Sequence, residues 1–140
     1  METTTLAVRT GGDERVVDLT ARVEEALDDW GAAEGLLSVF VPHATAGVAV
    51  LETGAGSDED LLRALRDVLP AAGPQGEGWR HAHGSPGHGR DHVLPALVSP
   101  SLVLPVLDGR PALGTWQSVC LVDTNRDNAD RTVRLSFVRG

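Results

Sequence analysis

The sequence has no lysine, no tyrosine and a single cysteine. All twelve basic residues are therefore arginine, which excludes Schiff-base chemistry on a protein lysine and a lysine-bearing phosphate loop. Without tyrosine, acid–base chemistry falls to His, Asp, Glu or the lone thiol, Cys120. One cysteine permits no internal disulfide, which suits a reducing cytoplasm. No apolar run reaches the roughly 20 residues needed to span a bilayer. The opening Met1-Glu2-Thr3-Thr4-Thr5 lacks the basic-then-apolar order of a signal peptide. Neither a Gly-x-Ser-x-Gly element nor a His-Glu-x-x-His element is present. The net charge of -8 argues against binding a phosphate backbone, and an anionic small ligand would need a local cationic device.

What is present reads as one ordinary domain over residues 1–140, 41% hydrophobic and 23% charged. Thr3 to Val8 and Arg15 to Asp18 are strand-like and flank a Gly11-Gly12-Asp13 turn, so a hairpin is expected. Leu19, Val23, Ala26, Leu27 and Trp30 share one face of a helix capped by Asp18 or Thr20 and stopped by Gly31. Leu36 to Val41 suits a buried strand, and extended character resumes from Val48 to Leu51. Ser57 and Asp60 resemble a capping box for a second helix that ends at Pro70 and buries Leu61, Leu62, Leu65, Val68 and Leu69. Leu102 to Leu107, Thr115 to Val122 and Arg131 to Val138 are strands, with Asp108-Gly109 as a hairpin turn. Strands interrupted by two helices predict an α+β fold.

Ala71 to Asp91 is rich in Gly, Pro and His and carries no hydrophobic period; a loop this long is usually functional or disordered. Four of the five histidines, His81, His83, His88 and His92, lie in it or at its end. Imidazole suits Zn and its neighbours, and three protein ligands leave an open position for chemistry. His81 and His83 share a face if extended, and His88 and His92 share one if helical, although Pro86 and the nearby glycines oppose a regular helix. His43 interrupts two strands, where a bend can aim a side chain inward. Spacing alone leaves the ligand set open.

The ordered motifs narrow it. His43-Ala44-Thr45-Ala46-Gly47-Val48 running to Glu52, then Trp79-Arg80-His81, Asp91-His92, Leu113-Gly114-Thr115-Trp116-Gln117, and Asp123-Thr124-Asn125-Arg126 with Arg131 resemble, in order, the signature of the YjbQ family, also called the secondary thiamine-phosphate synthase family. The resemblance runs from about Leu36 to the C-terminus. The sequence departs from the family pattern at Leu51, at Gly54-Ala55-Gly56, at Leu94 and at Thr124-Asn125, departures that bear on activity more than on fold.

The resemblance implies a largely antiparallel α+β domain with two main helices, assembled as a homotrimer. It implies a site where His43, His81 and His92 meet around a divalent metal, with zinc the first expectation. It also implies a thiamine-phosphate synthase activity, which joins a hydroxymethylpyrimidine diphosphate to a thiazole phosphate and releases diphosphate. Within that frame Thr45 and Gly47 could bind an anion through backbone N–H groups and the Thr hydroxyl, and Glu52 could orient a histidine or act as a base. Gln117 could hydrogen-bond substrate. Asp123, Arg126 and Arg131 would face the histidines, the two guanidiniums clamping phosphate. His83 and His88 are read as exposed loop residues, Trp116 as core and Cys120 as an inert core thiol. Two further functions remain open: a non-catalytic metal- or metabolite-binding trimer, and a metal-assisted phosphate hydrolase.

Overall fold

Period-two alternation of buried and exposed residues marks the long strands at both ends of the chain. The computed structural model describes residues 1–73, 77–81, 83–84 and 86–140. In chain order its elements are β1 (Glu2–Arg9), β2 (Arg15–Asp18), α1 (Thr20–Asp29), β3 (Gly35–Phe40), β4 (Ala46–Leu51) and α2 (Ser57–Val68). A 3-10 turn at Gly89–His92 follows, then α3 (Leu94–Leu97), β5 (Ser101–Leu107), β6 (Arg110–Pro111), β7 (Ser118–Asp123) and β8 (Asp130–Arg139). The strands form a five-stranded sheet in the order β1-β8-β3-β5-β6 and a three-stranded sheet in the order β2-β7-β4, with every pairing antiparallel. This is the expected α+β class, built as two sheets.

The larger sheet turns Leu37, Val39, Val133, Leu135 and Phe137 inward, all fully buried. They pack with Val23 and Leu27 of α1 and with Val119 and Leu121 of β7. The second face of the small sheet carries Val122, which packs with Leu65 and Leu69 from α2 and its C-terminal end, and with Leu94. The layers are thus large sheet, small sheet, and a cover formed by α2 and α3.

Several expectations about local structure change; Val68, expected on the buried face of α2, is 64% exposed. β1 and β2 do not form a hairpin: β1 pairs with β8 and β2 with β7, in different sheets. Gly11, at φ +75°, takes the chain from one sheet to the other, and Ala129 O accepts the N–H groups of Thr10 and Gly11. Ser57 is the first residue of α2 and not its cap; Gly56, at φ +92°, precedes it, and no side chain caps the helix. The N-cap of α1 is Leu19, not Asp18 or Thr20, and has no side-chain cap; Asp18 Oδ1 accepts the Thr20 N–H at 2.8 Å, and Gly31, at φ +56°, follows the helix end as expected. Asp108 and Gly109 join β5 to β6 with positive φ at both positions, the geometry of a tight hairpin turn.

Of the long segment from Ala71 to Asp91, residues 74–76, 82 and 85 lie outside the described residues. Among the described residues no helix is long and apolar enough to cross a membrane.

Candidate functional site

The histidine-rich segment is fixed at both ends. Trp79 donates its indole N–H to Pro70 O at 3.0 Å and packs beside Leu65, Leu69 and Leu94. At the other end the chain enters the 3-10 turn, where Gly89 permits a close crossing: a Cβ there would stand 2.5 Å from Trp79 Cβ and 3.5 Å from His81 Cβ. That crossing lays His81 over His92, with ring centroids 3.8 Å apart and planes at 24°. His88 stands 5.2 Å from His81 and 5.4 Å from His92, measured between ring centroids, and His83 stands 4.2 Å from His81. The ligand atoms of His81, His88 and His92 all lie within 4.8 Å of one another.

The electrostatics favour neutral rings at His81 and His92. Burial, then the neighbouring imidazoles, hold His81 and His92 below the ordinary histidine pKa. His81 Nδ1 is buried and has no hydrogen-bond partner among the described residues. An orphaned ring nitrogen among imidazoles is costly unless something accepts its lone pair or its proton. Neutral nitrogens converging in this way fit a divalent transition metal, whose ligands must be deprotonated.

A carboxylate shell supports the cluster. Asp127 Oδ2 is 2.9 Å from His88 Nδ1, an arrangement that fixes the tautomer and orientation of a ligand ring. Asp127 is itself held by its backbone N–H, which donates to Asn125 Oδ1 at 2.9 Å. Asn125 Nδ2 donates to Asp91 Oδ2 at 3.3 Å, and Thr124 Oγ1 donates to Asp91 Oδ1 at 2.6 Å. Burial raises the Asp91 pKa, and the Thr124 hydrogen bond and the Arg90 charge only partly offset it. The turn after β7 thus braces His88 through Asp127, and through Asp91 it braces the backbone beside His92.

The other expected site residues are placed differently. His43 lies outside the imidazole group, and its Nε2 accepts the backbone N–H of Thr132 at 2.9 Å. Burial first, then Arg131, hold its pKa low, against a smaller upward pull from Asp123. β3 ends at Phe40 opposite Arg134, so Thr132 lies beyond the last β3 pairing and this imidazole takes up its N–H. Arg131 is not a phosphate clamp: its side chain is 1% exposed and makes a two-pronged ion pair with Asp123, Nε to Oδ2 at 2.7 Å and Nη2 to Oδ1 at 2.8 Å. Thr10 Oγ1, at 2.8 Å, and the Asn125 N–H, at 3.0 Å, complete the acceptor capacity of Asp123. The pair links β8 of the large sheet to β7 of the small one, so both residues belong to the interior.

Thr45 is buried and adjoins the first residue of β4. Gly47 allows close packing: a Cβ there would stand 2.1 Å from Val98 O, and the Val48 N–H next to it donates to Ser99 O at 2.7 Å. Glu52 is exposed just past β4, and no contact among the described residues joins it to a histidine. Gln117 Oε1 accepts the Gly114 N–H at 2.8 Å and closes a surface turn. Trp116, on the same turn, is 74% exposed and is not core. Arg126 does reach the neighbourhood of the cluster, lining a pocket with His88 and Asp127.

His88 is the ligand candidate that sequence reasoning passed over. Its signal was the four-residue spacing to His92, discounted because of Pro86; the 3-10 turn begins at Gly89, directly after it. Asp127 carried no motif, and Asp91 stood only as the neighbour of His92.

Comparison with known proteins fits this architecture. A family model described as "UPF0047 protein YjbQ-like" matches residues 4–140. A UPF0047 protein of Mycobacterium tuberculosis is 57% identical, covering 100% of both chains. The UPF0047 protein YugU of Bacillus subtilis is 31% identical, over 82% of this chain and 83% of its own. Among solved structures, a hypothetical protein from Aeropyrum pernix superposes with a TM-score of 0.88 at 35% identity, covering 100% of both chains. A conserved hypothetical protein from Thermus thermophilus superposes at 0.81 with 32% identity, covering 96% of this chain and 99% of that one. With this sequence match over nearly its whole length and the shared fold, the chain belongs to the YjbQ-like UPF0047 family.

Proposed function

We propose that the chain holds a divalent metal, zinc in the first instance, on His81, His88 and His92, and acts there on a small phosphorylated metabolite. The observation that carries this reading is the convergence of three imidazole ligand atoms within 4.8 Å of one another, one ring having a buried nitrogen with no partner among the described residues. A divalent ion at that point supplies Lewis-acid stabilisation of negative charge on phosphate oxygens. Asp127 keeps His88 oriented, and the N–H groups of Arg126 face the adjoining pocket, where they can bind phosphate.

The reaction implied by the motifs is thiamine-phosphate synthesis. A ring nitrogen of the thiazole phosphate bonds to the pyrimidine methylene carbon, the carbon–oxygen bond breaks, and diphosphate leaves with the electron pair. In this reading the chain's residues hold the leaving diphosphate and orient the two rings. Incubation of the zinc-loaded full chain with both precursors should give thiamine phosphate above the uncatalysed rate, with loss of activity on chelation and in His81→Ala. A rate at background with intact metal binding would leave a non-catalytic metal- and metabolite-binding protein. Three protein ligands also leave a position open for water, which suits phosphate-ester hydrolysis. Chelator-sensitive release of phosphate from simple esters would favour that second reading.

We also propose a homotrimer, formed through the outer face of the large sheet. Leu36, Val103, Leu107 and Val138 are 53%, 63%, 54% and 51% exposed there. The register places Leu36 beside Val138 and Ser38 beside Val103, on the face opposite the core. An apolar patch of this kind on a sheet marks an association surface. Cys120 is fully buried with its thiol pushed up to about 12, chiefly by burial, and the chain has no second cysteine; both suit a cytoplasmic protein.

A further inference from the structure

Beside the imidazoles lies a pocket of about 290 Å³ whose wall includes His88. Three guanidiniums from distant parts of the chain meet there: Arg66 from α2, Arg90 from the 3-10 turn and Arg126 from the turn after β7. All three are gathered by Glu14, whose side chain is 4% exposed. Arg66 Nε donates to Glu14 Oε2 at 2.7 Å, Arg90 Nη2 donates to Glu14 Oε1, and Arg126 Nη2 stands 3.8 Å from the same oxygen. Burial alone would raise the Glu14 pKa, but the hydrogen bonds and charges of Arg66 and Arg90 outweigh it and hold the carboxyl below its ordinary range. Glu14 is therefore an internal anion that fixes where the guanidiniums sit.

The three arginines are not equally engaged. Arg90 is 8% exposed and satisfied, by Glu14, by Leu69 O at 3.2 Å and by Asp91 at 3.5 Å. Arg66 and Arg126 are 51% and 64% exposed. Arg66 gives only Nε to Glu14, and the Arg126 guanidinium makes no hydrogen bond among the described residues. Apart from Glu14, the acids that line the pocket have other partners: Asp91 accepts from Thr124 and Asn125 and pairs with Arg90, and Asp127 faces His88. Among the described residues the Arg126 guanidinium and the Nη groups of Arg66 therefore make no hydrogen bond, in a chain whose net charge is -8.

We propose that Arg66 and Arg126, positioned by Glu14, form the binding site for the phosphate group of a small phosphate monoester. A guanidinium fork matches the spacing of phosphate oxygens, and two forks approaching from different elements can hold one phosphate between them. The volume is at the low end of the roughly 300–1,000 Å³ typical of small-molecule sites, which suits a compact metabolite. This inference deepens the reading above by naming the groups that hold phosphate, and rests on it only for the metal alongside.

The test is calorimetric titration of inorganic phosphate into the full chain, chelator-treated and zinc-reloaded, in chloride buffer. Both forms should bind about one phosphate per chain. Arg126→Ala and Arg66→Ala should each weaken binding by about tenfold or more. Arg63→Ala, which alters an exposed arginine of α2 paired with Asp60, should bind as the parent does. Arg126→Ala removes an exposed side chain that makes no hydrogen bond among the described residues, so its fold is retained. Absence of phosphate binding, parent-like binding by Arg66→Ala and Arg126→Ala, or binding only in the zinc-loaded form would overturn the proposal. Phosphate binding by a chain that takes up no zinc would uphold it while removing the metal reading.

Discussion

The backbone N–H of Thr132 lies beyond the last pairing of β3, and the His43 ring takes it up. A ring nitrogen spent on a backbone donor has a structural use independent of any metal. His43→Ala leaves that donor unpaired in a half-buried position, which should cost about 1–3 kcal/mol in urea unfolding. A variant as stable as the parent would remove His43 from this role. The histidines also set the pH response of the metal-free protein. His43, His81 and His92 all have folded pKa values below the ordinary histidine value of 6.5, so the unfolded chain binds protons more readily. Stability should therefore be flat well above pH 6.5, fall as the pH drops below it, and stop falling from this cause once the pH is below the folded values. Thermal melts across that window check the sign; a melting temperature that rises on acidification through it would contradict the assignment. His81 and His92 were legible in the sequence because each sits in a motif. His88 was not, because its place depends on a short 3-10 turn and on Asp127, a residue 39 positions away.

At the level of elements, the strands were legible because alternation fixes which face is buried, as in β8, where Val133, Leu135 and Phe137 are all fully buried. Their partners were not. The turn residues at Gly11-Gly12-Asp13 suggested a local hairpin, but β1 gains an eight-residue pairing with β8 that the four-residue β2 cannot match. Long-range pairing of this kind leaves no local signature. The two sheets are joined by the Asp123–Arg131 pair, fully buried and four-fold hydrogen-bonded at the carboxylate. Removal of one partner strands a charge in the interior, so Asp123→Ala should lose about 3–5 kcal/mol in chemical unfolding. A loss below about 1 kcal/mol would show that the pair does not join the sheets energetically. Gly47 is a second such contact point. With Val98 O only 2.1 Å from a built Cβ, Gly47→Ala must push the segment after α3 away from β4, and a lowered melting temperature should report it.

For the whole molecule, the uncovered side of the large sheet is the largest feature that one chain leaves unexplained. Val103→Glu places a charge within that apolar patch and should convert a trimer to monomers in light scattering after size exclusion; an unchanged mass would move the interface elsewhere. The family and the α+β class followed from motif order, whereas the site depends on three segments that only the folded chain brings together: 79–81, 88–92 and 123–128. The central claim is that the metal set is His81, His88 and His92, with His43 outside it. The most direct test is zinc stoichiometry after loading and exhaustive dialysis, measured on the parent and on four single alanine variants. The account predicts about one zinc per chain in the parent and in His43→Ala, and loss of it in His81→Ala, His88→Ala and His92→Ala. No stoichiometric zinc in the parent, or zinc kept by His88→Ala and lost by His43→Ala, would contradict it.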